Sequence, residues 1–211
     1  MSHVTTRIIR EEHAALSAML RSILLLLAHH RRQRTMPDFA ALRAMIFYVD
    51  EFPEKRHHRC ESELLFPKLR ARTPLARHVL DELDKEHAFG ERNILELEHA
   101  LLGFEMLGEP RREAFERIAN RYVQFYLAHM AKEEQEILPL AERVLTAADW
   151  AELDAAFTSH RDPLTGHPPE TDYQALFTRI VNAVPAPLGL GPARWDMSSP
   201  EQSTGLTRRS S

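Results

Sequence analysis

The chain is poor in the residues that would take it in several other directions. A single cysteine, Cys60, excludes an internal disulfide and any zinc or iron–sulfur site built from several thiolates. Glycine is scarce at 7 residues, and Val and Ile together number 15 against 53 for Leu and Ala. Ala and Leu favour helices and β-branched residues favour strands, so a β-sandwich and a doubly wound sheet are both excluded. No charge of one sign dominates: 27 basic and 31 acidic residues are well mixed, for a formal charge of −4. That balance offers no field for nucleic acid or an anionic membrane, so neither is expected as a partner. The longest aliphatic run, Ile23 to Ala28, is too short to span a bilayer. Glu11, Glu12 and His13 follow the start too closely for a secretory signal, and a cytoplasmic protein is expected. What stands out is histidine, at 12 residues.

Apolar residues recur at helical spacing along most of the chain. Ile9, Leu16, Leu20, Ile23 and Leu27 mark one face of a first helix, from about Val4 to His30. Asp38 is a suitable N-cap for a second, reaching about Leu69 with a kink or break near Pro53. Pro74 opens a third, which runs to about Leu107. Gly108, Glu109 and Pro110 separate it from a fourth, which ends near Leu145. Four long amphipathic helices with short connections predict an all-α, antiparallel up-and-down four-helix bundle. Thr146 and Asp149 resemble a capping box for a short helix through about Phe157. A Pro- and Gly-bearing loop at 161–171 leads to a last helix, Tyr173 to Ala183. From Pro185 the chain is rich in Pro, Gly and Ser, and disorder is expected. The expected division is a bundle at 1–147, a helical appendage at 148–184 and a flexible tail at 185–211.

An internal repeat carries the chemistry. His57-x-x-x-Glu61-x-x-x-Leu65-Phe66-Pro67 returns 72 residues later as His129-x-x-x-Glu133-x-x-x-Ile137-Leu138-Pro139. His13 precedes the first of these by 44 residues, and His87 precedes the second by 42. The chain therefore reads twice as a helix bearing one His followed by a helix bearing His-x-x-x-Glu, a pseudo-twofold arrangement around one point. Residues i and i+4 lie one above the other, so each His–Glu pair can grip one centre. His13 sits on the stripe of Ile9 and Leu16, and His87 on that of Leu80, Leu83 and Ile94. His129 and Glu133 continue the stripe of Phe115, Tyr122, Ile137 and Leu140. Chance alone gives about one His-x-x-x-Glu pair in such a composition, and the chain has four. His78/Glu82 lies off its stripe and reads as a solvated pair; Glu91, four residues after His87, lies at a stripe edge and is a weak ligand candidate. Buried carboxylates are costly unless paired or metal-bound, so the inward array points to metal.

Six ligands, His13, His57, Glu61, His87, His129 and Glu133, are too many for one tetrahedral zinc. They suit two first-row ions bridged by the glutamates, His13 and His57 serving one and His87 and His129 the other. Imidazole with carboxylate suits iron, and zinc or manganese satisfy the same donors. An open position on a redox-active pair would take a small diatomic ligand or peroxide.

The pattern His13 … His57-x-x-x-Glu61 … His87 … His129-x-x-x-Glu133, with His57-His58 running into Leu64-Leu65-Phe66-Pro67, resembles the bacterial hemerythrin-like (HHE cation-binding) family over about residues 5–145. The resemblance implies a four-helix bundle holding two non-haem irons joined by an oxo or hydroxo bridge. It also implies a function in binding or sensing oxygen, nitric oxide or peroxide, or in handling iron. The oxygen carriers of the family have His-x-x-x-His on the third helix where this chain has His87 and Glu91, and a last pair of His-x-x-x-x-Asp. The pattern here is closer to the iron-sensing F-box hemerythrin domain and to repair-of-iron-centres proteins. Oxygen carriage loses weight accordingly. A binder or sensor, a peroxide-consuming or iron–sulfur-repair enzyme, and a metal reservoir all stay open, and a sensor would need a separate protein partner.

Several neighbours of the motif have plainer readings. His58 is rotated about 100° from His57 and reads as a donor supporting the site, an alternative ligand or a surface residue, with the non-ligand roles favoured. Tyr122 and Tyr126 read as core. The basic cluster His29, His30, Arg31, Arg32 and Arg34 complements the negative end of the first helix. The segment His160-Arg161-Asp162-Pro163-Leu164 suggests no mechanism from sequence.

Overall fold

The structure, a computed structural model, describes residues 3–159, 161–165 and 173–183. His160 and the residues from Pro185 onward, where disorder is expected, lie outside the described residues. Helix α1 spans Val4–Gln33, three residues longer than the periodicity predicts. It ends where Arg34 takes a left-handed conformation, φ 55°, with its N–H donated to the Arg31 carbonyl and that of Thr35 to the His30 carbonyl. Such a turn usually carries glycine, because a Cβ is strained there. Arg34 is exposed. The substitution Arg34→Gly is therefore expected to stabilise the chain by about 1 kcal/mol, read as a raised midpoint in urea unfolding.

Helix α2 occupies residues 39–72, with Asp38 capping it by accepting the Ala41 N–H at 3.0 Å. Pro53 does not break it. The helix instead widens through Asp50–His57, with the His58 N–H reaching five residues back to the Pro53 carbonyl. A second wide turn, Glu61–Leu65, passes the Phe66 N–H to the Glu61 carbonyl. Helix α3 is Arg77–Leu107, and α4 occupies residues 112–144 after a tight turn at Glu109–Arg111. The wide turn recurs in α4 at Glu133–Ile137, where the Leu138 N–H meets the Glu133 carbonyl. Proline lacks an N–H and its ring crowds the carbonyl four residues back, so a turn opened to five residues relieves Pro67 and Pro139. Both such turns begin at the glutamate of a His-x-x-x-Glu pair.

These four helices form the antiparallel bundle, α3 packing on α4, α1 on α4, and α2 on α3 and α1. Their apolar residues separate into two clusters. One holds Leu20, Leu27, Met45, Leu101, Phe104 and Phe115. The other holds Ile8, Phe66, Leu80, Leu83, Ile137 and Leu138. In every helix the His and Glu of the repeat fall between the two. Helix α5, Ala147–Ser159, starts in a reciprocal cap: the Thr146 N–H donates to Asp149 at 2.9 Å and the Asp149 N–H to the Thr146 hydroxyl at 3.3 Å. It packs on α1, whose Thr5 donates its N–H to Asp154 at 2.8 Å and so satisfies an orphan of the first turn. Helix α6, Gln174–Ala183, lies on α2 and adds Phe177 and Ile180 to the first cluster. No described helix is long and apolar enough to cross a membrane.

Candidate metal centre

The polar layer between the two clusters brings together all six residues of the repeat. His13, His57, Glu61, His87, His129 and Glu133 are all buried, the two glutamates at 1% exposure each. Glu133 Oε2 lies 3.3 Å from His13 Nε2, and its Oε1 lies 3.4 Å from His129 Nε2 and 3.7 Å from His87 Nε2. Glu61 lies 3.2 Å from His57 Nε2 through Oε1 and 3.7 Å from His87 Nε2 through Oε2. The imidazoles fall into two pairs. The His13 and His57 rings are 5.1 Å apart, and those of His87 and His129 4.9 Å, with their Nε2 atoms at 3.2 Å. The two glutamates sit between the pairs, each facing both. The decoys behave as their stripes require: His78 is exposed with Glu82 half-buried beside it, and Glu91 is exposed.

Every Nε2 faces inward because every Nδ1 is held from outside. The Nδ1–H of His57 donates to Glu12 at 2.8 Å, that of His129 to Glu86 at 2.8 Å, and that of His13 to Glu134 at 3.0 Å. His87 Nδ1 pairs with the Ser62 hydroxyl at 2.7 Å. Such outer partners fix the tautomer and ring plane of a ligating histidine. They also obey the repeat. Glu12 and Glu86 each precede the single histidine of their half, and Ser62 and Glu134 each follow the glutamate. Sequence reasoning missed all four, although the Glu-His step at 12–13 and again at 86–87 was there to be read.

The segment without a mechanism acquires one. The Asp162 N–H donates to Glu12 Oε1 at 3.0 Å, so the turn after α5 buttresses the carboxylate that orients His57. Tyr48 donates its hydroxyl to Asp162, and the Leu164 N–H bonds it at 2.8 Å. Burial pushes the Asp162 carboxyl up to about 6, with the nearby Glu12 adding to the rise.

The charges around the layer are arranged for cations. Burial opposes ionisation of Glu133, yet His129, His13 and His87 outweigh it and hold the carboxyl well below its ordinary range. Burial likewise opposes a charge on His57, but Glu61 and Glu12 raise it well above an ordinary histidine. His13 and His129 are raised in the same way, against their burial, by Glu133 with Glu134 and by Glu133 with Glu86. In the protein alone, protons do what a bound cation would do. Even so the layer is not satisfied: His57 Nε2, Glu61 Oε2 and both oxygens of Glu133 are buried without a hydrogen-bond partner. Buried polar atoms are almost always paired, and an unpaired carboxylate in a dry interior is especially costly. These four atoms converge on the same layer, and their chemistry, imidazole nitrogen with carboxylate oxygen, suits first-row divalent and trivalent ions. Groups His13/His57/Glu61 and His58/Glu61/His87/His129 each place one donor atom per residue within 4.8 Å of one another.

Of the three roles its position allowed, His58 does not take the surface one. It is buried at 4% exposure, with its ring stacked on His87 at 4.3 Å and parallel to Tyr126 at 5.6 Å. Burial, with His87, His129 and His57 close by, depresses its basicity well below that of an ordinary histidine. Tyr122 and Tyr126 are core residues, as their positions predict.

A four-helix bundle whose polar midsection presents two His–His–carboxylate groupings defines a metal-binding helical protein. The hemerythrin HHE cation-binding domain family matches residues 4–141, and the chain belongs to it. No curated protein and no solved structure matches the chain.

Orientation by the outer carboxylates has a measurable consequence. Glu12→Gln is expected to lower metal affinity about 10–100-fold in chelator competition, with Glu91→Gln, on the exposed face, leaving it unchanged.

Proposed function

We propose that the chain is a non-haem di-iron protein that binds a small oxygen or nitrogen species, and that it acts by binding or sensing rather than by transforming a large substrate. The observation that carries the metal assignment is the set of four buried, unpartnered donor atoms on His57, Glu61 and Glu133. His13 and His57 would hold one iron, His87 and His129 the other, and Glu61 and Glu133 would bridge them. Two irons, when bound, supply redox chemistry and an open coordination position.

The remaining work falls to the chain. Glu12, Glu86, Glu134 and Ser62 keep each imidazole turned inward, and the two apolar clusters above and below exclude bulk water. A narrow pocket reaches the layer, lined by Leu16, Phe52, Pro53 and Arg56 together with Glu12, His13, His57, His58 and Asp162. Its tightness suits a diatomic molecule or peroxide and supports this choice over chemistry on a bulky substrate. A cytoplasmic setting fits a chain whose lone thiol, Cys60, needs no oxidising compartment.

The test is a titration of the ferrous protein with nitric oxide beside a peroxide-consumption assay. A stoichiometric spectral change without peroxide turnover is expected. Sustained peroxide consumption by catalytic amounts of protein would replace the binder with an enzyme, and no response to either ligand would leave only iron storage.

A further inference from the structure

The four outer partners of the imidazoles differ in where they lead. Glu86, Glu134 and Ser62 are each half-buried at the surface of the bundle, and Glu86 is met there by Lys132 at 2.6 Å. Glu12 alone is buried, and its two oxygens serve different parts of the molecule. One accepts the His57 Nδ1–H at 2.8 Å. The other accepts the Asp162 N–H at 3.0 Å, from a turn outside the four-helix bundle. We infer that this turn, residues 161–165, together with α6 is the output element of the centre. Its docking on the bundle is coupled to occupancy of the ion between His13 and His57, and not to that of the other ion. This rests on the di-metal, sensing reading of the centre, and gives that reading the segment of chain that changes.

The contacts run without a gap from the layer to α6. The Asp162 carboxylate accepts the Tyr48 hydroxyl and, at 2.8 Å, the Leu164 N–H. Tyr48, fully buried on α2, meets the Phe177 ring of α6 edge-on at 5.8 Å. Phe52, further along α2, packs against Phe177 at 5.6 Å and Tyr173 at 5.1 Å. Tyr173 in turn donates its hydroxyl to Glu51 at 3.0 Å, and Arg161 ties the turn to α1 through Glu11 at 2.6 Å. Among the described residues, no hydrogen bond joins Glu86, Glu134 or Ser62 to this appendage. The pocket that reaches the layer is lined by Phe52 and Asp162 as well as by His13 and His57. A small molecule entering it therefore touches the appendage and the centre together. An ion on Nε2 fixes the His57 ring from the inner side and Glu12 fixes it from the outer, so whatever steadies Glu12 steadies the ligand. Such coupling is reciprocal: an ion that favours the docked appendage is favoured by it to the same factor.

Chelator-driven release of cobalt(II) from the loaded full chain tests this. Tyr48→Phe keeps the ring and the core volume but removes the hydroxyl that holds Asp162. In that variant one of the two ions is expected to leave at least about fivefold faster, with the other unchanged. Glu86→Gln is expected to hasten the other ion instead, and the two substitutions combined to hasten both. Tyr48→Phe hastening both ions equally, or neither, or the same ion as Glu86→Gln, would overturn the inference with the di-metal reading intact. A chain that binds no cobalt would overturn both. Amide exchange in the wild type gives a check that needs no variant. Protection of residues 173–183 is expected to rise at least about fivefold on loading, while the turn at Glu109–Arg111, far along α4 from His129, stays as it was. Equal protection of 173–183 in stripped and loaded chains would overturn the coupling.

Discussion

Glu133→Ala is expected to abolish stoichiometric binding of metal at the centre. The reason is position. Both glutamates face both imidazole pairs, but Glu133 meets three of the four imidazoles, His13 through Oε2 and His129 and His87 through Oε1, at 3.3 to 3.7 Å, where Glu61 meets two. Removing it would take away the donor proposed to be shared by both ions and would leave His13 and His129 only their outer carboxylates, Glu134 and Glu86. Outer partners of a metal ligand already cost about 10–100-fold in affinity, so loss of a shared ligand is expected to exceed 100-fold. Isothermal titration of the metal-free variant with ferrous or cobalt ion checks this. Glu61→Ala, which faces His57 and His87, is expected to weaken binding in the same way, whereas Glu91→Ala is expected to change nothing. Wild-type affinity in Glu133→Ala would show that the carboxylate is only a partner of histidines.

The second large effect is on stability, and its sign depends on pH. An ion bound to the folded chain alone stabilises it by about 4 kcal/mol when free metal is a thousandfold above the dissociation constant. Stripping the chain removes that contribution and puts protons in the ions' place. His13, His57 and His129 have folded-state affinities for protons raised above the ordinary value of 6.5. Groups raised in this way contribute stability below their unfolded value and lose it as pH climbs through the folded one. The stripped chain is therefore expected to be less stable at pH 9 than at pH 6. Asp162, raised to about 6, acts in the same direction over the range between its ordinary 3.8 and that value. Glu133 acts oppositely: its contribution is present above about 4.5 and is lost on acidification. Metal displaces the histidine protons, so the loaded chain gains affinity and stability as pH rises over the same alkaline interval. Urea unfolding of stripped and loaded protein at pH 6 and 9 separates the two trends. A stripped chain that is more stable at pH 9 would contradict the proton-filled layer.

Much of this was legible in the sequence because helical periodicity reports which side of a helix is dry. His13 between Ile9 and Leu16, and His129 and Glu133 in line with Phe115 and Ile137, could face only the core. Asp38 and the Thr146–Asp149 pair marked helix starts by chemistry that the structure repeats. What escaped was local geometry. Periodicity assumes 3.6 residues per turn, and the wide turns around Pro53, Pro67 and Pro139 break that count. A kink or break was expected near Pro53, and the helix absorbed the proline by widening. The same widening accompanies the burial of His58 beside the layer, which removes only the surface role among the three its rotation allowed. The outer carboxylates escaped for a different reason: Glu12, Glu86 and Glu134 lie beside the ligands on their own helices but serve histidines of other helices. Nothing in a helical stripe encodes that exchange. Asp162 depends on a turn after α5 and on a backbone N–H, which sequence pattern does not register.

The most direct measurement is the metal content per chain after anaerobic purification from iron-replete cells, for the wild type and for a His57→Ala, His129→Ala double variant that removes one imidazole from each pair. About two irons per wild-type chain, lost in the double variant, is the expected result. No metal in the wild type, or a single zinc that the double variant retains, would contradict the assignment of the buried His and Glu array as a di-metal centre.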